Sequence, residues 1–81
     1  MRFDFSKRKK AKNIEDIDSK YVDVIQQRYL QQQISPYLRI GYGFIELKED
    51  APKQMEEVFH EYIKYSCAIL DYQELSGEEW H

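Results

Sequence analysis

The fold depends on the stretch YLRIGYGFIELK, Tyr37 to Lys48, which separates two segments with helical periodicity. The density of Tyr, Ile, Leu and Phe in this stretch is typical of β structure. Alternation places one set of apolar side chains on a common face: Leu38, Ile40, Tyr42 and Phe44. Gly41 and Gly43 are compatible with a bend or bulge, a turn that makes a tight hairpin, or close approach of another backbone. The stretch therefore predicts a β segment or hairpin.

A first helix is predicted before this stretch, near residues 14 to 33. Asn13 is its predicted N-cap, and Pro36 ends it because the residue before a proline avoids helical geometry. At about 100° per residue, one sector of the helix is apolar. Its members are Ile14, Ile17, Tyr21, Val22, Val24, Ile25 and Tyr29. Asp18 and Arg28 intrude on this sector, so we expect them at its rim or facing something outside the monomer.

A second, longer helix is predicted after the β stretch, near residues 51 to 75. Asp50 is its predicted N-cap, Pro52 fits its first turn, and Gly77 closes it. Its apolar face holds Met55, Val58, Phe59, Tyr62, Ile63, Ser66, Ile69 and Leu70. The predicted fold class is α+β, mostly α, with two amphipathic helices, a β segment or hairpin between them, and a basic N-terminal arm.

The chain has 81 residues and is predicted to form a single small domain over residues 13 to 77. Residues 1 to 12 form the predicted arm, and residues 78 to 81 form an acidic C-terminal tail. The arm holds six Lys and Arg against a single Asp, a charge of +5, so the rest of the chain must carry −8 to give the net −3. Such segregation of charge favours contact with an anionic surface.

The start of the arm alternates polar and apolar residues, as a short edge strand would. Whether Phe3 and Phe5 pack on the core decides how mobile the arm is. If they pack, the lysine run is held beside the acidic surface of the protein itself. If they do not, the arm is free to bind something else.

Composition indicates a folded protein of a reducing compartment. Hydrophobic residues make up 42% of the chain and aromatic residues 15%, which is more than disordered chains contain. Cys67 is the single cysteine, so no internal disulfide forms, and a cytoplasmic location is predicted. We also expect no export signal and no membrane span, because no apolar run follows the N-terminal charges or approaches about 18 residues.

No catalytic, metal or cofactor signature is present, so the sequence predicts a protein that is not an enzyme. His60 and Cys67 lie seven residues apart on one helix, roughly 10.5 Å along its axis, which is too far for a nucleophile and base pair. His60 with a neighbouring glutamate supplies two metal ligands where zinc needs three or four. Gly41-Tyr42-Gly43 lacks the following helix start that a phosphate loop requires.

The predicted function is therefore that of a small adaptor or regulatory protein that binds another protein. The apolar faces of the two helices are about 160° and 180° wide, more than one antiparallel pair buries, so we expect a homodimer or hetero-complex. Aromatic residues supply much of the binding energy at protein interfaces. The predicted contact residues are Tyr37, Tyr42, Tyr65, Tyr72 and Trp80.

The alternative is a small nucleic-acid-associated protein whose basic arm contacts phosphates. Five cations of the arm would make these contacts, namely Lys7, Arg8, Lys9, Lys10 and Lys12. The effect would be modest and sensitive to salt, since each contact adds only about one unit to the salt dependence. The acidic body of the protein argues against this alternative.

Overall fold

A computed structural model describes residues 1–77. The α-helices and β-strands of this part of the chain are, in order, β1 (Arg2–Asp4), α1 (Val24–Ile34), β2 (Leu38–Gly41), β3 (Phe44–Leu47) and α2 (Gln54–Ser76). Short 3-10 turns lie between some of them. The three strands form one antiparallel sheet. The predicted α+β class, with two helices and a hairpin between them, is confirmed.

The sheet has the order β1-β3-β2, so the last strand of the hairpin is central and the other two are edges. Tyr42 and Gly43 form the turn of the hairpin, where Gly43 has a φ of +80° that other residues rarely adopt. Of the three roles open to the two glycines, the turn is the one that the structure shows for Gly43. At Gly41, a Cβ atom would collide with the ring of Phe44, which lies over it.

The predicted apolar face of the β stretch is wrong beyond Ile40. Because the chain reverses at the turn, Phe44 pairs with Gly41 and Ile45 pairs with Ile40. The core-facing residues of the central strand are consequently Ile45 and Leu47, both buried, while Tyr42 is fully exposed. A continuous alternation assumes an unbroken strand, and the turn shifts its phase.

The core forms where the sheet meets the two helices. Its buried members are Leu30, Ile34, Ile45, Leu47, Phe59 and Tyr62. Phe3 and Phe5 pack against this cluster from the N-terminal segment, with their ring centroids 5.0 Å apart in an edge-to-face arrangement. The N-terminal segment is therefore held both by backbone pairing of β1 with β3 and by two partly buried rings.

The predicted first helix is wrong over its first ten residues. Two single 3-10 turns, Ile14–Asp16 and Ser19–Tyr21, replace it and lie against α2. Asn13 makes no side-chain cap, whereas the Asp18 carboxylate accepts a hydrogen bond from the backbone N–H of Lys20 at 3.2 Å. Aspartates that bond to nearby amides favour turns over continuous helix, and Asp18 does so at the second of these turns.

The true start of α1 is set by Asp23, whose carboxylate accepts the N–H of Gln26 at 3.0 Å. From this start, the buried stripe of α1 contains Leu30 and Ile34, neither of which belongs to the predicted apolar sector. The predicted members Ile25 and Tyr29 point to solvent. The prediction failed because it extrapolated a phase from residues 14 to 22, which are not α-helical.

α2 begins three residues later than predicted, at Gln54, and ends where predicted. Asp50 does not cap it, since Lys53 occupies the N-cap position and no side-chain cap bond forms there. Gly77 closes the helix in left-handed geometry, with φ of +72°, and its N–H donates to the carbonyl oxygen of Gln73.

Candidate interaction surfaces

The basic N-terminal segment is fixed to α2 by a nearly buried ion pair. The Arg8 and Asp71 side chains are 9% and 8% exposed, and Arg8 Nε lies 3.2 Å from Asp71 Oδ1. Arg8 Nη1 also donates to the carbonyl oxygen of Phe5 at 3.0 Å, and Asp71 Oδ2 accepts the N–H of Ala11 at 3.3 Å. Hydrogen bonds therefore satisfy both buried charges, as buried ion pairs require.

Glu74 extends this contact at the surface. Its carboxylate lies 3.3 Å from Arg8 Nη2 and 3.9 Å from Lys10 Nζ. The sequence left two alternatives for the basic segment, and the packing of Phe3 and Phe5 selects the one in which it lies on the protein's own acidic helix. Within residues 1–77, the remaining lysines of the segment, Lys7, Lys9 and Lys12, make no ion pair.

A cleft of about 450 Å³ lies beside this ion pair. Its charged lining consists of Lys9, Lys10, Lys12, Asp16, Asp18 and Asp71. Three cations face three carboxylates, so the cleft has no excess charge of either sign. Its lining does not select an anionic ligand.

The predicted aromatic contact residues lie in different environments. Tyr37 and Tyr65 are half-buried and pack against the core, and Tyr65 makes an edge-to-face contact with Tyr21 at 5.0 Å. Tyr72 is half-buried on α2, and Tyr42 is fully exposed at the hairpin turn. Trp80 lies outside the described residues. The structure therefore presents Tyr42 to solvent and packs Tyr37 and Tyr65 partly against the core, and their contact with a partner stays a prediction.

The outer face of α1 carries two large apolar side chains that the sequence analysis assigned to the core. Ile25 is 83% exposed and Tyr29 is 58% exposed, four residues apart and so one turn apart on the same side of the helix. On the opposite side, Gln27 Nε2 donates to Ser66 Oγ of α2 at 3.0 Å. The signal that could have revealed this face is the spacing of Asp23 and Gln26, an N-cap followed by Gln three residues later.

The outer face of the sheet carries a row of alternating charge. Arg2, Glu46 and Arg39 are directly opposite one another across the three strands. Arg39 Nη1 lies 3.7 Å from Glu46 Oε1, and the Arg2 guanidinium carbon lies 3.8 Å from the centroid of the Phe44 ring. The row ends at Arg39 on the free edge of β2.

The described residues contain no group of three or more His, Cys, Asp or Glu placed to hold a metal ion. Cys67 is half-buried, and burial raises the pKa of its thiol, while the Arg8 charge opposes and the Asp71 charge adds to that shift. A raised pKa disfavours the thiolate, which is the reactive form of cysteine. Over residues 1–77, neither helix combines the length and apolar character needed to cross a bilayer.

Compared with protein-family models, curated proteins and solved structures, the chain matches none of them.

Proposed function

We propose that this chain is a small, non-enzymatic, cytoplasmic adaptor or regulatory protein that binds another protein through the outer face of α1. The observation that carries the proposal is the exposure of Ile25 and Tyr29 on one side of a short helix whose other side is buried. Single exposed apolar residues are ordinary, but an isoleucine and a tyrosine one turn apart make a contiguous patch.

The physical gain from covering this face is substantial for so small a protein. Full burial of one isoleucine side chain contributes about 1.5–3 kcal/mol, and tyrosine is enriched among the residues that dominate interface energies. Tyr42, fully exposed at the hairpin turn, supplies a second contact in the proposal. If the partner is a second copy of this chain, the proposal predicts self-association into an oligomer.

The test is affinity capture with a tagged wild-type chain and an Ile25→Glu/Tyr29→Glu variant, using extract from cells that make the protein. Both positions are exposed, so the variant is expected to fold, with a change in stability of about 1 kcal/mol or less. A matched control is Asn13→Glu/Gln54→Glu, which adds the same charge at two exposed positions outside α1.

A partner captured by the wild type and the control, and lost from the α1 variant, supports the proposal. Sedimentation velocity of the purified chains shows whether that partner is a second copy. The proposal fails if the α1 variant captures the same proteins and sediments in the same way as the wild type.

A second candidate function is contact with nucleic acid, which is favoured by Lys7, Lys9 and Lys12, since they make no ion pair with any residue that the structure describes. Because Arg8 and Lys10 are engaged on α2, we expect about three phosphate contacts at most, with a salt slope of about −3. Mobility shift at low salt, with Lys7, Lys9 and Lys12 replaced by Gln as control, tests it. Equal binding by the two chains, or none by either, rules this candidate out.

A further inference from the structure

The free edge of β2 presents backbone groups that point away from the sheet and belong to apolar residues. The N–H of Lys48 donates to the carbonyl oxygen of Tyr37 at 2.8 Å, which marks a hydrogen-bonded pair of the antiparallel ladder. Since such pairs alternate, Arg39 and Gly41 also bond to β3, and the N–H and C=O groups of Leu38 and Ile40 point away from the sheet. The N–H of Leu38 donates to the carbonyl oxygen of Ser35, so an added strand would bond to the C=O of Leu38 and to both groups of Ile40. Ile40 is 64% exposed, although its cross-strand neighbour Ile45 is buried.

The opposite edge of the sheet differs in the residues that hold its outward backbone groups. The N–H of Leu47 donates to the carbonyl oxygen of Met1 at 2.7 Å, so by the same alternation the outward groups of β1 belong to Arg2 and Asp4. Charged residues discourage the addition of a further strand at an edge. On β2 the residues that hold the outward groups, Leu38 and Ile40, are apolar, and the exposed Arg39 between them is the charged residue of the strand.

The charge row on the outer face of the sheet defines what would complement this edge. The row runs positive, negative, positive across Arg2, Glu46 and Arg39, and its last member is exposed on β2. An added strand with an acidic residue opposite Arg39 continues the alternation, and opposite charges directly across strands stabilise a sheet. A second copy of β2 centred on this position would instead place two arginines opposite each other.

We infer that the edge of β2 binds an extended peptide segment of a partner protein, antiparallel, with the pattern apolar, acidic, apolar opposite Ile40, Arg39 and Leu38. Backbone hydrogen bonds to the C=O of Leu38 and to the N–H and C=O of Ile40 supply part of the affinity, and the acidic residue supplies selectivity. The protein already contains such a segment, since Ile45, Glu46 and Leu47 of β3 pair with the same three residues from the other side.

The inference deepens the proposed function and rests on it, because it names the chemistry of a protein partner. The probe is a synthetic acetylated and amidated peptide with the sequence of residues 43–48, GFIELK, titrated into the isotope-labelled full-length protein. The readout is the chemical shift of each backbone amide. We expect a dissociation constant of about 1 mM, with the largest shift change at the amide of Ile40.

A variant peptide and the protein variant Arg39→Glu test the charge, and the protein variant Ile40→Pro tests the backbone. A peptide with lysine in place of Glu46 should bind about fivefold more weakly, and the protein variant Arg39→Glu should reverse that preference. Ile40→Pro removes an amide that points away from β3, so the hairpin bonds should survive while binding is lost. If Ile40→Pro does not fold, the charge reversal alone decides the matter.

The inference is overturned if the Ile40 amide does not respond, if the amides of β1 respond equally, or if both peptides bind alike. It is also overturned if the Ile40 amide shifts with protein concentration in the absence of peptide, since a second copy then occupies the edge. None of these results depends on binding at the outer face of α1. Failure of the edge is therefore distinguishable from failure of the proposed function, which the capture experiment decides.

Discussion

Replacing Arg8 with alanine tests whether the basic N-terminal segment belongs to the folded domain. The change removes the guanidinium that lies 3.2 Å from Asp71 and leaves that carboxylate, 8% exposed, with the N–H of Ala11 as its remaining donor. Removing one partner of a buried ion pair destabilises proteins by about 3–5 kcal/mol. Because Asp71 keeps one donor, we expect a loss of about 2–4 kcal/mol in the free energy of unfolding.

That loss is large for this protein, since a chain of this size has a total stability of about 4–12 kcal/mol. The melting temperature should fall by about 8–32 °C, at about 4–8 °C per kcal/mol. Urea unfolding followed by far-ultraviolet circular dichroism measures the change directly. The control is Lys10→Ala, whose ion pair with Glu74 is 3.9 Å long and exposed, with an expected change within about 0.5 kcal/mol.

A double variant, Arg8→Met/Asp71→Leu, should recover most of the lost stability, because apolar residues of similar volume often replace a buried ion pair without loss. If the free energy of unfolding of Arg8→Ala lies within about 0.5 kcal/mol of the wild-type value, the Arg8–Asp71 pair does not hold the basic segment on the domain. The basic segment would then be a mobile arm in solution.

Three further outcomes are expected. Gly41→Ala should lower stability by about 1–3 kcal/mol in urea unfolding, because the new Cβ displaces the Phe44 ring from its place over the strand. Asp23→Ala should lower it by about 1 kcal/mol in the same assay, because the amide of Gln26 loses its cap and α1 frays. Cys67 should react more slowly with a disulfide reagent at pH 8 in the folded protein than in urea, because burial raises its pKa and disfavours the thiolate. Since the folded-state pKa is the higher one, the stability contributed by the neutral thiol is complete below the unfolded pKa and is lost as pH rises through the folded pKa.

The two substitutions have control variants, and the Cys67 reaction is compared between the folded and the unfolded chain. The control for Gly41 is Gly43→Ala, whose new Cβ meets open space and adds only the strain of a positive φ, about 1–2 kcal/mol. No effect of Gly41→Ala on stability would contradict the clash with Phe44. Asp16→Ala removes an exposed carboxylate that makes no hydrogen bond within residues 1–77, and a loss equal to that of Asp23→Ala would contradict a specific cap. Equal thiol reactivity in the folded and unfolded chains would contradict the raised pKa.

The sequence predicted the features of the fold that depend on local signals. Pro36 and Gly77 ended the two helices close to where they end in the structure, and the dense Tyr37 to Lys48 stretch became a hairpin. These signals act within a few residues, through proline sterics, left-handed glycine geometry and β propensity. Local patterns therefore sufficed for the class of the fold.

The errors arose where a local signal was overruled or where contacts are distant in sequence. Apolar periodicity from Ile14 to Val22 looked helical, but two separate turns form there, and the Asp18 side chain bonds to the backbone at the second of them. Arg8 and Asp71 are 63 residues apart, and no local pattern reveals which acidic residue a basic segment will meet. The exposure of Ile25 and Tyr29 was missed because of the same error, since the buried face of a helix can be predicted only once its start is known.

The most direct test of the proposed binding face is site-specific photocrosslinking from α1. A photoreactive phenylalanine analogue is placed at Ile25, and in a control chain at Gln54, which is also exposed but lies at the start of α2. Irradiation in cells that make the protein should give a discrete crosslinked product from position 25 and none from position 54. Identical products from both positions, or no product from position 25, would contradict a protein partner on the outer face of α1.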